Sequence, residues 1–546
     1  MSFKSNILKD RPETAPHRSL LRASWLKDED FDLNKPFIWV ANSFNNIVPG
    51  HGHLNILNQY VMKGIRDAWG VPFTWWVPAI CDWIAMFAEM RLSLPSRDHI
   101  AENIELMMLS HSFDGWVWIT NCDKITPWML MAAGRLNLPA VILTGGPMQP
   151  GRDTKTGKTI DLVSVFEWVW AHSAGQIDDE ELKRIEKEAC PTGWSCAWMF
   201  TANSMACVTE CLWMSVKDCA ATLATLKEKQ KQAYESGRLA VELARKNIRP
   251  RDIMTKEAFL DAMTLDNAIW GSTNVTLHLP AIAKECGIDI DLHDFDKISK
   301  HTPNICKLSP SWPYEMVDLY NEGGIKQVMK NIEDKLHLDR KSVDFEKIWD
   351  RLDWVEKVDN DVIRSMENPY YKEGWVSALK WNICEESVVK QTWVLPEMMK
   401  HSGPAKVFYT EQEVVDWVKN WKIEEWDVVV LPYQGPAWAP WMPEMLTPTA
   451  AIKWAWFKRV ALITDWRFSG GTAWPCIGHI YPEAYNKGRI GLIKDWDIIE
   501  IDIPNRILNV KVSDEEFERR QKEEGFKVPE RKMTKMLEKF RKEYER

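Results

Sequence analysis

Asn121-Cys122-Asp123-Lys124 sets a thiol, a carboxylate and an amine side by side, directly after the apolar run GWVWIT (115–120). Thiolates are soft ligands suited to iron–sulfur clusters, whereas carboxylate oxygens are hard ligands suited to Mg2+. Both chemistries recur elsewhere. Asp82 follows an apolar stretch in AICDWIAM, and Cys196 lies in the small-residue loop ACPTGWSCAWM. Glu444 stands in PWMPEM and Ser469 in RFSGG. Singly, each has an ordinary alternative: a helix cap for Asp82, core packing for either cysteine, a surface carboxylate for Glu444, a turn for Ser469. Together, hard oxygens and soft thiols at strand ends predict two inorganic centres in one cleft.

The segments around these residues predict the frame that positions them. ENIELMMLSHSF (102–113) has helical spacing of apolar residues, and CDKITPWMLMAAGRLN (122–137) reads as a loop entering a helix. PAVILTGG (139–146) reads as a buried strand ending at a glycine turn. Strand–helix–strand order with continuous apolar strands predicts an α/β domain whose parallel sheet is covered by helices. Ligand sites in such sheets lie at the carboxyl ends of strands. This domain is expected over residues 1–345, including a charged helical stretch (178–250), with a connection over 346–375. From 376 the texture changes. SVVKQTWVL, AKVFYT, DVVVLPY, RVALITD, DIIEIDI and ILNVKVS are short strands separated by turn signals. They predict a β-barrel-like domain over 376–546 that ends in a charged helical tail.

Composition narrows the function classes. The formal net charge of -9 argues against a nucleic-acid partner, which wants a basic face. No apolar run reaches the roughly 18–20 residues that cross a bilayer, so no membrane partner is expected. The N-terminal stretch lacks the apolar centre of a signal peptide, which predicts a cytoplasmic protein. The 11 cysteines are odd in number and scattered, unlike a secreted disulfide framework.

Longer strings carry a family resemblance. SLPSRD (93–98), NCDKITPWMLMAAGRLNLPAVILTGGPM (121–148), CPTGWSCAWMFTANSM (190–205), DNAIWGSTN (266–274), VVKQTWVLPEMMKHSGPAKVF (388–408), MPEML (442–446) and RFSGGTAWPCIGHIYPEA (467–484) resemble the dihydroxy-acid and sugar-acid dehydratase family across nearly the whole chain. The resemblance implies a hydro-lyase acting on a small 2,3-dihydroxy acid. SLPSR and IGHIYPEA are closer to the dihydroxy-acid branch, with 2,3-dihydroxy-3-methylbutanoate and its valerate homologue as substrates in branched-chain amino-acid synthesis. A pentonate or hexonate dehydratase is the alternative within the family, and a non-catalytic iron–sulfur redox protein the alternative outside it. By the same resemblance Asp82, Asp123 and Glu444 are Mg2+ ligands, joined by Lys124 once CO2 has carbamylated its amine. Cys122 and Cys196 hold an iron–sulfur cluster, 2Fe–2S or 4Fe–4S, and Ser469 is the general base. A homodimer is implied too. One departure concerns the cluster: many relatives carry a third cysteine near the N-terminus, where VPGHGHL (48–54) has Gly50.

The tryptophans are anomalous. The chain has 31 Trp against 26 Gly, although glycine is ordinarily about 7% of residues. Many occupy turn-like contexts, such as GPAWAPWMPE (435–444), where glycine would supply positive φ or close backbone approach. Against the family motifs, Trp83, Trp128, Trp198, Trp270, Trp438, Trp441, Trp466 and Trp474 fall at expected glycines. UGA is read as glycine in some bacterial lineages and as tryptophan in another variant code. The expectation is therefore a genuine gene whose UGA codons are rendered Trp.

Overall fold

Four apolar runs build the first sheet: β1 (Phe37–Asn42), β2 (Val71–Trp76), β3 (Gly115–Thr120) and β4 (Ala140–Thr144). They are parallel, in the order β2-β1-β3-β4. β1, β3 and β4 are buried throughout, as parallel strands covered on both faces must be, while the edge strand β2 exposes Thr74, Trp75 and Trp76. The structure is a computed structural model that describes residues 2–86, 90–173, 175–193, 195–309, 314–438, 446–455, 457–468 and 475–544.

Helices Leu54–Asp67 and Lys227–Lys246 pack on this sheet and on each other. Two glycines permit the approach. A Cβ on Gly64 would lie 2.0 Å from the Tyr234 carbonyl oxygen, and one on Gly237 would lie 2.1 Å from that of Val61. Helix Ile125–Leu136 leaves β3 through the NCDK segment and packs against helices Ser93–Ser110 and Val275–Glu285. The charged stretch 178–250 contains helices Asp179–Ala189, Thr201–Cys211 and Lys227–Lys246, with the Cys196 loop between the first two. A small antiparallel pair, β5 (Gly151–Arg152) and β6 (Thr159–Ile160), follows β4. Ile348, Leu352, Val362 and Ile363, from the expected connection, pack into the first domain's core.

The second sheet has β7 (Val376–Ala378), β8 (Glu386–Lys390), β9 (Lys400–Val407), β10 (Val428–Leu431), β11 (Ala461–Thr464), β12 (Cys476–Tyr481), β13 (Ile498–Asp502) and β14 (Ile507–Val510). Its order is β14-β13-β9-β10-β11-β12-β8-β7, with parallel β9 to β12 flanked by antiparallel strands. Lys380, just past β7, bridges to Ile507 of β14, so the outer strands of the sheet meet and it curls into the expected barrel-like form. Strand alternation separates two cores. Val428 and Val430 join Ile463 and Ile477 in one, while Val429 and Leu431 join Val415 and Ile452 from helices Glu411–Lys419 and Leu446–Trp454 in the other.

Eight tryptophans adopt positive φ: Trp25, Trp69, Trp213, Trp270, Trp381, Trp421, Trp426 and Trp496, from +53° at Trp421 to +154° at Trp381. Among the described residues no other non-glycine type supplies more than two such positions. An L-residue with a bulky side chain is strained there, and glycine is not. Of the tryptophans singled out by motif, Trp270 is in this set, at the left-handed cap of helix Lys256–Ile269, where glycine ordinarily sits. Trp83, Trp128, Trp198, Trp438 and Trp466 have ordinary φ, and Trp441 and Trp474 lie outside the described residues. Trp128 is wholly buried inside its helix, with an indole N–H that makes no hydrogen bond.

Candidate metal centre

The carboxyl ends of the first sheet's strands converge on Lys124. Asp82 opens the short helix Asp82–Ala85, in the segment after β2, and Cys122, Asp123 and Lys124 follow β3. Lys124, 1% exposed, donates from Nζ to Asp82 Oδ2 at 2.5 Å and to Asp123 Oδ2 at 2.6 Å. Ser93 Oγ donates to the other Asp82 oxygen. Arg467, which follows β11 in the second domain, brings Nη2 to 3.6 Å from Asp82 Oδ2. His278, on helix Val275–Glu285, is wholly buried and faces Asp123 Oδ1 from 3.7 Å.

The charges are arranged to keep Asp123 ionised. Burial opposes ionisation, but the Lys124 ammonium, the His278 ring and Arg467 outweigh it and hold this carboxyl well below the usual carboxylate range. Burial pushes His278 down to about 3, so its imidazole is neutral. Asp123 Oδ1 and both His278 ring nitrogens are buried and make no hydrogen bond among the described residues. Buried polar atoms are rarely left so, and a hard oxygen in this state is a ready cation ligand.

The two expected cluster cysteines lie on adjoining segments. Asn121 and Ser195, the residues preceding them, both donate to Gly146 O, at 3.2 Å and 2.8 Å. Asn121 Nδ2 also donates to Gly50 O at 2.9 Å, fixing the turn after β1 against them. A Cβ on Gly50 would lie 3.2 Å from Cys122 Sγ and 3.5 Å from Ser195 N, so the space beside Cys122 depends on glycine there. Cys196 Sγ points to Asp161 Oδ2 at 4.0 Å. Burial raises both thiols well above their ordinary range, and Asp161 is likewise pushed up to about 7. Buried thiols of this kind ionise when a cation replaces their protons. Among the described residues no three His, Cys, Asp or Glu side chains form a group that could hold one metal ion. Glu444 and Ser469 lie outside the described residues.

Comparison with known proteins decides the family. The Dihydroxy-acid/6-phosphogluconate dehydratase N-terminal family matches residues 35–351, and its C-terminal counterpart matches residues 361–546. The chain belongs to the dihydroxy-acid/6-phosphogluconate dehydratase family. It is 48% identical to the dihydroxy-acid dehydratase of Methanobrevibacter smithii, over 95% of this chain and 94% of that protein. It is 46% identical to the dihydroxy-acid dehydratase of Methanosarcina barkeri, over 98% of both chains. For that of Caldanaerobacter subterraneus subsp. tengcongensis the identity is 47%, over 98% of this chain and 96% of the relative.

Within this family member the structure unites Asp82, Asp123 and Lys124, and sets Cys122 close to the Cys196 loop. It also adds residues that sequence reasoning passed over. Ser93 opens the SLPSRD string and Arg467 heads RFSGG, so the family motifs contain both. His278 had no local signal: it sits between two leucines in the helix VTLHLPAIAKE, and only folding brings it to Asp123.

Proposed function

We propose that this protein is a dihydroxy-acid dehydratase that removes water from 2,3-dihydroxy-3-methylbutanoate and its valerate homologue to give the 2-oxo acids. The observation that carries this reading is the buried Asp82–Lys124–Asp123 group directly beside Cys122. A redox iron–sulfur protein has no use for such a group. The full-length similarity to proteins named dihydroxy-acid dehydratase favours the branched-chain substrate over a sugar acid.

The residues fit both expected groups. Asp82 and Asp123, with the latter's unbonded Oδ1, would hold Mg2+, together with Glu444 and a carbamylated Lys124. Carbamylation joins the Lys124 amine to CO2 with loss of a proton, giving an anionic oxygen donor. Cys122 and Cys196 would hold the cluster in the space that Gly50 leaves open. When bound, these groups supply Lewis acidity toward the substrate's carboxylate and C2 hydroxyl on one side and its C3 hydroxyl on the other.

The chain's own residues do the rest. Ser469 is the base that takes the C2 proton, a role that requires its hydroxyl to be lowered toward the alkoxide. The C3 hydroxyl leaves as water, and the resulting enol tautomerises to the 2-oxo acid. The Lys124 ammonium, with His278 and the Arg467 guanidinium, holds Asp123 ionised. The protein works as a cytoplasmic homodimer in this proposal. No described helix is long and apolar enough to cross a membrane.

The test is 2-oxo-acid formation by anaerobically reconstituted protein, with 2,3-dihydroxy-3-methylbutanoate beside pentonates and hexonates. Mg2+-dependent turnover of the branched substrate is expected. Turnover of sugar acids alone would overturn the substrate assignment and keep the reaction class.

A further inference from the structure

Cys81 stands directly before Asp82, at the N-cap of helix Asp82–Ala85, and its side chain makes no capping hydrogen bond. Consecutive α-carbons are about 3.8 Å apart. Through Asp82 and its 2.5 Å contact with Lys124, Cys81 is thus held next to the segment that carries Cys122. The sheet explains the convergence. Cys81 follows β2, Gly50 follows β1 and Cys122 follows β3, and these three strands are neighbours. Cys81 also acts electrostatically on the Cys122 thiol. The position where many relatives carry a third cysteine is Gly50 here, packed against Cys122 Sγ. Two cysteines are few for an iron–sulfur cluster, whose irons are ordinarily held by more thiolates.

We propose that Cys81 is a third thiolate ligand of the iron–sulfur cluster, beside Cys122 and Cys196. This rests on the cluster assigned above. Each thiol gives up its proton as its sulfur binds iron. Cys81 and Asp82 then serve the two centres from adjacent positions, as Cys122 and Asp123 do. The competing candidate is Cys190, which is exposed and acts electrostatically on Cys196.

The test uses full-length protein reconstituted anaerobically with ferrous iron and sulfide. Iron and labile sulfide per chain, and the electron paramagnetic resonance spectrum after reduction, are compared for the wild type, Cys81→Ala, Cys81→Ser and Cys190→Ser. Cys81→Ala is expected to lose most of its iron, Cys81→Ser to shift the spectrum, and Cys190→Ser to match the wild type. Wild-type iron and spectrum in Cys81→Ala, or their loss in Cys190→Ser alone, would overturn the proposal. Alkylation of the unmutated protein, mapped by peptide mass spectrometry, guards against a folding defect in the variants. Cys81 should react in the apoprotein and be protected after reconstitution, and equal reaction in both states rules Cys81 out. A wild type that binds no cluster would instead refute the cofactor reading beneath this one.

The eight tryptophans with positive φ are a separate observation. Steric repulsion between Cβ and the backbone disfavours that region for every residue but glycine, with Asn and Asp as partial exceptions. Trp25, Trp421 and Trp496 are also largely exposed, at 91%, 69% and 69%, so no burial rewards the strain. We infer that glycine is the natural residue at Trp25, Trp69, Trp213, Trp270, Trp381, Trp421, Trp426 and Trp496, each encoded by a UGA codon that the source organism reads as glycine. Peptide mass spectrometry of the protein isolated from that organism should find glycine at 25, 381 and 421. Tryptophan at these positions, or UGG codons in the gene, would refute it.

Discussion

Lys124 occupies a place where its removal has a definite sign. Its ammonium lies between two carboxylates that are both largely buried and contacts each of them directly. Lys124→Met keeps the side chain's length and removes the charge. It should abolish activity and destabilise the apoprotein by roughly 3–5 kcal/mol, the usual cost of stranding a buried charge. Urea unfolding of apoprotein would show this, and an unchanged midpoint would refute the account of Lys124 as their buried counter-ion. Glu483 makes a prediction in pH. Burial, and secondarily Asp465, pushes its carboxyl up to about 8, and Oε2 accepts from Ala437 N at 3.0 Å. The folded state therefore keeps a proton that the unfolded chain loses near pH 4.3, and native stability falls as pH rises toward 8. Glu483→Gln keeps the acceptor and cannot ionise. Its stability relative to the wild type should rise by up to roughly 1.4 kcal/mol per pH unit across that window, and urea melts at pH 5 and pH 8 check it. At this scale the sequence displayed Cys122, Asp123 and Lys124 because they are adjacent. His278 stayed hidden because its relation to Asp123 spans two helices' worth of folding.

Secondary-structure elements were legible where a run was apolar enough to be a buried strand. GWVWIT became β3, PAVILTGG contains β4, and DVVVLPY and RVALITD contain β10 and β11. Barrel closure was not legible, because the Lys380–Ile507 bridge joins residues whose pairing no local pattern encodes. Close helix packing was also hidden, since Gly64 and Gly237 look like poor helix formers until the partner helix is in place. That packing is testable. Gly237→Ala would drive a methyl into the Val61 carbonyl and should cost about 1–3 kcal/mol, the range for overpacking. Gly52 has nothing within 4 Å of its would-be Cβ, and its φ is -59°. Gly52→Ala should therefore be neutral or slightly stabilising. Parallel urea titrations of the two variants compare a crowded glycine with an open one, and equal destabilisation would refute the packing account.

Across the whole molecule the unusual residue is tryptophan, and its effect can be reckoned. Trp25, Trp69, Trp381, Trp421, Trp426 and Trp496 combine positive φ with exposed side chains. A non-glycine residue in that region costs about 1–2 kcal/mol, while glycine loses roughly 0.5–1 kcal/mol more entropy on folding. Each replacement by glycine should thus gain about 0.5–1 kcal/mol. Some of these rings hold a cation: Lys35 lies 4.2 Å from the Trp69 ring centroid, Lys406 3.5 Å from that of Trp496 and Arg459 4.9 Å from that of Trp426. Exposed contacts of this kind return about 0.5 kcal/mol each. The sixfold variant should therefore be about 2–4 kcal/mol more stable, a large fraction of the 5–15 kcal/mol that holds a typical native state. Apart from Trp421 and Trp426, which share one loop, the sites are dispersed along the chain, so their effects should nearly add. Trp213 and Trp270 are left out because they are buried, and removing their rings would open cavities unless their neighbours close in. A urea midpoint that rises with each successive glycine is the expected result. A flat series would show that these backbone conformations carry no strain, and would remove the physical ground for placing glycine there.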